Sequence, residues 1–587
     1  MVCLAYSSRG VIARQPHVPL EAAGLCRSRG PSRARANCVA RGGHSVWAPR
    51  KLPRDSLVLE QLLRLGPTPS EDELLGIMSI ELDQWRENPR HATVVMSSLA
   101  RHRLPLIAHR VLTFMLARSV EANVFLYSAA ISACEKGGQW QLALNLLSSM
   151  PDIRVFPNEI SYSAAISACE KGGQWQLALN LLSNMPDMRV IPNEISYSAA
   201  ISACEKGGQW QLALSLLSSM PDMRVIPNEY SYDAAISAFA KGGRWHLALG
   251  LLGSMPDMKV IPNKFSYSAA ISTCEKAGRW QLALSVLSSM PGMRVIPNEI
   301  SYSAAISACE KGGQWQLALG LLGVMPDMRV IPNEYSYDAA NSACAKGGRW
   351  QLALGLLGSM PDVRLIPNKI SYNAAISACA KRGRWQLALG LLSSMPDINM
   401  IPDEISCSAA ISACEKGGRW QLALGLLSNM PDTRVVPNEI SYSAAISACE
   451  KGGQWKLALS LLSSMPDMRV VPNEISYNAA ISSCEKGRSW VLPLQLLLQA
   501  TELRIFPNEI SYNAAMLACK HWGPWNTVLH LLQLMAGSGL TPNEISFNAG
   551  VEACETGGHL LPAPEFLRLT EDISLSSIRA SSSMLQL

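Results

Sequence analysis

Residues 159–193 read EISYSAAISACEKGGQWQLALNLLSNMPDMRVIPN, and closely similar stretches of 35 residues recur along most of the 587-residue chain. A fixed period of this length is typical of stacked supersecondary units, so it decides the fold class before composition is considered. Regular copies begin at Val124, Glu159, Glu194, Glu229, Lys264, Glu299, Glu334, Lys369, Glu404, Glu439, Glu474 and Glu509, and a partial copy begins at Glu544.

The repeat also divides the chain into segments. Residues 89–123 align with the regular copies without a gap, so we expect a degenerate repeat there. The other predicted segments are an organellar transit peptide or disordered basic tail at 1–54, an N-terminal cap region at 55–88, twelve repeats at 124–543, a partial terminal repeat at 544–578 and a tail at 579–587.

Each copy contains the signals of two helices. Asn158 is a good N-cap, and the carboxylate of Glu159 suits the first turn of a helix. Gly172 and Gly173 predict the end of this first helix. A second helix is expected to begin near Trp175 and to end at Pro186, which cannot continue it. The sequence therefore predicts one helical hairpin per copy.

One hairpin cannot bury all of its apolar surface. Leu177 and Leu181 point away from the stripe that begins at Trp175, so they need a neighbouring copy. We therefore predict an all-α fold, a right-handed superhelical α-solenoid of helix-turn-helix repeats with a concave inner surface. The regularly spaced Trp residues fit packing in this core better than a base-stacking platform.

Charge is unevenly distributed along the chain. The net charge of +5 arises from the first 123 residues, and residues 1–54 hold ten basic residues and only Glu21 as an acid. Such an Arg-rich, acid-poor leader favours import into a mitochondrion or chloroplast. The repeats are slightly acidic, so any phosphate binding there depends on the local placement of Lys and Arg. No uncharged apolar stretch is long enough to cross a membrane, so we expect no membrane partner.

The sequence offers no arrangement for catalysis or metal binding. Twelve of the sixteen cysteines share one repeat position, where Phe239 is the single replacement, so we interpret them as core thiols rather than zinc ligands. No His-x-Glu with Cys-x-x-Cys deaminase set and no phosphate-binding glycine loop is present. We expect no catalytic residues, no metal and no cofactor, and hence no enzyme.

The 35-residue copy resembles the pentatricopeptide repeat family. The resemblance lies in Tyr at the fourth position, Lys-Gly-Gly or Lys-Ala-Gly at positions thirteen to fifteen, and the ending Met-Pro-Asp…Pro-Asn. It implies a pure repeat protein without a C-terminal deaminase domain. It also implies single-stranded RNA as the partner, read at one base per repeat by two or three side chains.

The resemblance further implies particular site residues. Bases would be read by the fifth and last residues of each repeat, with Ile160 and its equivalents wedged against the base planes. The implied base-reading residues are Ser128, Asn158, Ser163, Asn193, Ser198, Asn228, Asp233, Asn263, Ser268, Asn298, Ser303, Asn333, Asp338, Asn368, Asn373, Asp403, Ser408, Asn438, Ser443, Asn473, Asn478, Asn508, Asn513 and Asn543. The last-position Asn is equally explained as an N-cap, and the fifth residue as an exposed polar group.

If the family code applies, Ser or Thr with Asn favours adenine, Asn with Asn a pyrimidine, and Asn with Asp uracil. Starting from Thr93 with Asn123, the implied target is the A-rich sequence A-A-A-A-?-A-A-?-U-A-A-Y-Y, with the two Asp–Asn pairs unassigned. Because the copies are nearly identical, duplication without selected specificity is an alternative explanation of the pattern.

The lysine at the thirteenth position is the second implied contact. These residues, Lys136, Lys171, Lys206, Lys241, Lys276, Lys311, Lys346, Lys381, Lys416, Lys451 and Lys486, would form a cationic track for RNA phosphates. A solvated Glu-Lys pair beside the helix end is the alternative. The predicted function is organellar RNA processing, stability or editing, with RNA-processing proteins as partners; the competing hypothesis is a protein-binding scaffold.

Overall fold

A computed structural model describes residues 54–64, 66, 71–87, 89–118, 120–487 and 489–556. The predicted leader at 1–54 lies outside these residues except for Arg54, and so do the end of the partial repeat and the tail. Val58–Leu587 is one compact unit, to which the repeats belong. No helix in the described ranges combines the length and apolar character that crossing a membrane requires.

The described residues form twenty-nine α-helices and no strand. The helices are α1 Arg54–Arg64, α2 Glu71–Glu87, α3 Pro89–Arg101, α4 Pro105–Ala117, α5 Val124–Lys136, α6 Trp140–Ser149, α7 Glu159–Lys171, α8 Trp175–Asn184, α9 Glu194–Lys206, α10 Trp210–Ser219, α11 Glu229–Gly242, α12 Trp245–Ser254, α13 Lys264–Lys276, α14 Trp280–Ser289, α15 Glu299–Lys311, α16 Trp315–Asp327, α17 Glu334–Lys346, α18 Trp350–Ser359, α19 Lys369–Lys381, α20 Trp385–Ser394, α21 Glu404–Lys416, α22 Trp420–Asn429, α23 Glu439–Lys451, α24 Trp455–Ser464, α25 Glu474–Lys486, α26 Val491–Glu502, α27 Glu509–Trp522, α28 Trp525–Gly537 and α29 Glu544–Thr556.

From α3 onward the helices alternate between two roles. Each odd-numbered first helix packs against the first helix of the next repeat, as α7 does against α9. Each even-numbered second helix packs against its own first helix and against the following one, as α8 does against α7 and α9. Every hairpin thus shares its apolar surface with the next, and the predicted all-α solenoid is confirmed.

The pattern of buried core residues follows the sequence repeat. In the repeat that begins at Glu159, the first helix buries Ile166 and Cys169 completely. The second helix adds Leu182 and Met185, the latter at its C-terminal end. These are residues that the helical spacing assigned to the interior, and burying each large apolar side chain contributes about 1.5–3 kcal/mol.

A contact between tryptophan and glycine joins neighbouring repeats. A Cβ atom built on Gly172 would lie 2.3 Å from Cδ1 of Trp140, so only a glycine lets the indole approach this closely. The same contact recurs between Trp280 and Gly312. Only Ala277 and Arg382 replace this glycine in the repeats that begin at 159 to 474. The half-buried Trp is therefore a packing residue, as its spacing indicated.

Substitution of Gly312 should test this contact. In Gly312→Ala the new methyl group would lie 2.2 Å from Cδ1 of Trp280, so the indole must move. We expect a loss of about 1–3 kcal/mol in the free energy of unfolding, as for other overpacked sites. Gly320→Ala is the matched control, because that position in α16 has open space and Ala favours a helix by about 1 kcal/mol. A melting temperature unchanged by Gly312→Ala would contradict the contact.

The repeat cysteines are buried thiols. Burial raises the pKa of Cys309 to about 11, and that of Cys134 to about 12. Within the described ranges no cluster of His, Cys, Asp and Glu could hold a metal ion. Phe239, the single replacement, is also fully buried, so the position selects an apolar group.

These thiols should resist alkylation in the folded protein. Near neutral pH, iodoacetamide should label them only after denaturation, which mass spectrometry of native and unfolded samples would detect. Because an unfolded thiol ionises at about pH 8.5, the unfolded chain releases protons before the folded one, and stability should fall as pH rises above that value. Rapid labelling of the native protein at these positions would contradict this expectation.

Candidate nucleic-acid interface

The last residue of each repeat caps the first helix of the next. Oδ1 of Asn193 accepts hydrogen bonds from the backbone N–H groups of Ile195 and Ser196, at 3.1 and 2.9 Å. The N–H of Asn193 donates in return to Oγ of Ser196 at 2.9 Å. This reciprocal arrangement recurs at Asn158, Asn193, Asn228, Asn263, Asn298, Asn333, Asn368, Asp403, Asn438, Asn473 and Asn508. The interpretation of the last-position residue as an N-cap is therefore correct for its Oδ1 atom.

The fifth residue of a repeat meets the last residue of the same repeat. Oγ of Ser163 donates to Oδ1 of Asn193 at 3.3 Å. The same bond, at 3.1–3.3 Å, joins Ser128 to Asn158, Ser198 to Asn228, Ser268 to Asn298, Ser303 to Asn333, Ser408 to Asn438 and Ser443 to Asn473. The two side chains that the resemblance paired are thus brought together. Ser163 is only 5% exposed, so the interpretation of the fifth residue as an exposed polar group is wrong.

In the Ser-containing repeats the Asn side chain uses one end, Oδ1, for both of these tasks. Its Oδ1 is occupied by the cap and by the serine, whereas no described residue accepts a hydrogen bond from Nδ2 of Asn193. An amide N–H donor therefore remains available beside the first turn of each following helix.

Two repeats use this amide differently because their fifth residue is Asp. Nδ2 of Asn263 donates to Oδ2 of Asp233 at 2.9 Å, and Nδ2 of Asn368 donates to Oδ2 of Asp338 at 2.7 Å. Burial raises the pKa of the Asp233 carboxyl, against the opposing effect of hydrogen bonds from Ser266 and Asn263. In these repeats a carboxylate takes up the amide donor that the serine repeats leave available.

Repeats with Asn at the fifth position form a third arrangement. Nδ2 of Asn373 donates to both carboxylate oxygens of Asp403, at 3.1 and 3.2 Å. Burial favours the neutral form of Asp403, yet hydrogen bonds, chiefly from Ser406 and then Asn373, lower the pKa of its carboxyl. Nδ2 of Asn478 donates to Oδ1 of Asn508, and Asn513 bonds Asn543 in the same way. The buried Oδ1 of Asn373 has no hydrogen-bond partner among the described residues.

Apolar side chains flank these polar pairs. The second residue of each repeat stands exposed on the first turn of its helix, 55% in the case of Ile160. Two repeats carry Tyr230 and Tyr335 at this position, and two others carry Phe125 and Phe265. These exposed apolar side chains occupy the position for which the resemblance implies contact with base planes.

The thirteenth-position lysines form ion pairs that the sequence analysis missed. Nζ of Lys171 lies 2.8 Å from Oε1 of Glu135, the twelfth residue of the preceding repeat. Five further pairs have the same 36-residue separation, namely Lys206–Glu170, Lys241–Glu205, Lys311–Glu275, Lys346–Glu310 and Lys451–Glu415. In the sequence the carboxylate nearest to each of these lysines is that of the Glu beside it in its own helix. The 36-residue spacing between the two residues is the signal that indicates the pairing, except at Lys486, which donates to the backbone oxygen of Glu450 instead.

These features define the protein as an α-helical repeat protein with one polar side-chain pair per repeat. Three family profiles identify the kind of repeat. The profile described as PPR repeat matches residues 160–190, 230–260, 265–295, 300–330, 370–400 and 405–434, PPR repeat family matches 192–241, and Pentatricopeptide repeat domain matches 110–172, 321–382 and 426–486. The chain belongs to the pentatricopeptide repeat family.

A solved crystal structure shows the same fold. The pentatricopeptide repeat protein PPR10 from maize is 19% identical, with a TM-score of 0.56 over 89% of this chain and 88% of that one. PPR10 in complex with an 18-nt psaJ RNA element is 18% identical, with a TM-score of 0.46 over 87% and 83%. No curated protein sequence is significantly similar to the chain.

Two substitutions of Asn333 should separate its roles. Asn333→Ala removes the cap of α17 and should cost about 1 kcal/mol in the free energy of unfolding. Asn333→Asp keeps an oxygen for the cap, as Asp403 does naturally, and should unfold within about 0.5 kcal/mol of the unmodified protein. Thermal unfolding monitored by circular dichroism measures both. Equal losses in the two variants would show that the amide nitrogen, and not the oxygen, stabilises the helix.

Proposed function

We propose that the protein binds single-stranded RNA along its row of first helices, one base per repeat, without chemistry of its own. The observation that carries the proposal is the polar pair of fifth and last residues, repeated at every 35-residue step beside an exposed second residue. Members of this family read one base per helical repeat through two or three side chains. The basic leader supports action in organellar RNA processing, stability or editing.

The chemistry of the pairs suits discrimination between bases. In the serine repeats the available N–H of Asn193 and its equivalents can donate to an acceptor on a base edge. In the two aspartate repeats the amide is held by Asp233 or Asp338, so a carboxylate oxygen is the group offered to a base. A carboxylate only accepts hydrogen bonds, so these repeats should prefer a base edge that presents donors.

The exposed second residues supply the remaining contact. Ile160 and its equivalents present apolar surface next to each pair, and the aromatic members present ring faces, namely Phe125, Tyr230, Phe265 and Tyr335. Stacking of a base on an aromatic side chain contributes about 1–3 kcal/mol and tolerates any base. The second residues would therefore contribute affinity, and the pairs would contribute sequence preference.

Binding of short labelled RNAs tests the proposal. Fluorescence anisotropy should show tighter binding to the A-rich thirteen-base target than to poly-C, and affinity that falls steeply with salt. Equal affinity for the two RNAs would contradict one-base-per-repeat reading. Salt-independent binding to a peptide ligand, without RNA binding, would instead establish a protein scaffold.

Asn333→Asp tests directly whether the pair of Ser303 and Asn333 sets base preference, because the fold should tolerate this substitution. With Ser303 unchanged, the variant replaces an N–H donor by an acceptor in one repeat. Preference should change at one base only, by about tenfold or 1.4 kcal/mol. Gln316→Ala, on an exposed position of α16 in the same repeat, is the matched control and should leave preference unchanged.

A further inference from the structure

Glu–Lys pairs hold six of the eleven lysines of the predicted phosphate track. In each of the six pairs the carboxylate lies 2.6–3.1 Å from the ammonium group of the following repeat. A lysine held in this way presents little net charge to a phosphate, since the glutamate repels the same anion. The track is thus a series of neutral pairs along much of its length.

Among the described residues the series is interrupted where Ala replaces the glutamate, and also at Lys486, whose Nζ donates to the backbone oxygen of Glu450 at 2.8 Å. Ala240, Ala345 and Ala380 occupy the twelfth position of their repeats, and the lysines 36 residues further on are Lys276, Lys381 and Lys416. In the part of the chain that the structure describes, no carboxylate forms an ion pair with Lys381 or Lys416. Nζ of Lys381 donates instead to the backbone oxygen of Lys346 at 2.8 Å.

Two of these interruptions are consecutive and coincide with one arginine that the other repeats lack, beside two arginines whose contact with Trp recurs at Arg244, Arg279 and Arg419. Arg382 stands where most repeats have glycine, and its Nε donates to the backbone oxygen of Gly348 at 3.3 Å. Arg349 and Arg384 lie over the rings of Trp315 and Trp350, at 4.7 and 5.2 Å from the ring centroids. The three arginines and two tryptophans line one surface pocket of about 510 Å³.

Cations therefore crowd together at this place. The pKa of Lys381 is lowered by burial and by the neighbouring charges of Lys416 and Lys346. Like charges held at close range repel each other, and a bound polyanion would relieve that repulsion. We define Arg349, Lys381, Arg382, Arg384 and Lys416 as the cationic patch.

We propose that the cationic patch is the principal anchoring site for the RNA phosphate backbone, and that the paired lysines contribute little. The inference rests on the proposed function and makes it more specific. The bound RNA would be held firmly at the repeats that begin at Glu334, Lys369 and Glu404, and more loosely at the other repeats. Ala345 and Ala380 would then be positioning residues, because their lack of a carboxylate leaves Lys381 and Lys416 available.

Installing the missing glutamates tests this inference. In Ala345→Glu/Ala380→Glu the new carboxylates stand 36 residues before Lys381 and Lys416, as in the natural pairs. Other repeats accept Glu at this position with side chains 16–22% exposed. Loss of two phosphate contacts should reduce the slope of log affinity against log salt by about 1.4. The fall in affinity between about 50 and 200 mM salt should become about sevenfold smaller.

Lysine removal provides a second variant and a matched control. Lys381→Ala/Lys416→Ala should reduce the salt slope as much as the glutamate variant does, whereas Lys206→Ala/Lys311→Ala, which removes two paired lysines, should change it little. Glu275→Ala should free Lys311 and steepen the slope.

Equal losses of slope in the two lysine variants, or a wild-type slope in Ala345→Glu/Ala380→Glu, would overturn the inference while RNA binding itself stands. Failure of the unmodified protein to bind RNA would overturn the proposed function and the inference with it.

Discussion

One side-chain oxygen at each repeat boundary holds the array together. The first amides of any helix lack partners within that helix, and Oδ1 of the preceding Asn supplies one. In the serine repeats the same oxygen also accepts a hydrogen bond from the fifth residue, such as Ser163. In these repeats the start of the following first helix is thereby fixed to the fifth residue of the one before it. The fifth residue must form hydrogen bonds for structural reasons, whether or not a base is present, which explains why it is restricted to Ser, Asp and Asn.

The fold could be predicted closely because its signals are local. Asn158, Trp175 and Pro186 each mark a helix boundary through the geometry of a few neighbouring residues, and the structure places helices α7 and α8 between those marks. The partner of Lys171 could not be predicted in this way, since Glu135 lies in another helix. The burial of Ser163 depends likewise on the next first helix. The pairing of fifth and last residues came from family resemblance, because no single-helix pattern specifies it.

The arrangement of charge reconciles a slightly acidic array with a polyanionic ligand. The net charge includes Glu135 and Lys171 equally, wherever they lie in the structure. A bound ligand responds instead to the local electrostatic field at the surface that it contacts. Pairing cancels the field along much of the row of first helices, and its interruption beside Lys381 restores it. Average composition is thus a poor guide to a surface on which opposite charges are matched one to one.

The fit of each tryptophan against the next glycine has a consequence for how the protein can change. Apart from the boundaries at Ala277 and Arg382, the boundaries of the repeats that begin at 159 to 474 are formed by the same two complementary surfaces, so nearly any of these hairpins can follow any other. Removing or adding a whole unit of 35 residues would leave each remaining boundary intact, whereas a partial deletion would misalign Trp280 and Gly312. The number of repeats can therefore change by insertion or deletion of whole units, whereas the length of each repeat stays fixed at 35 residues.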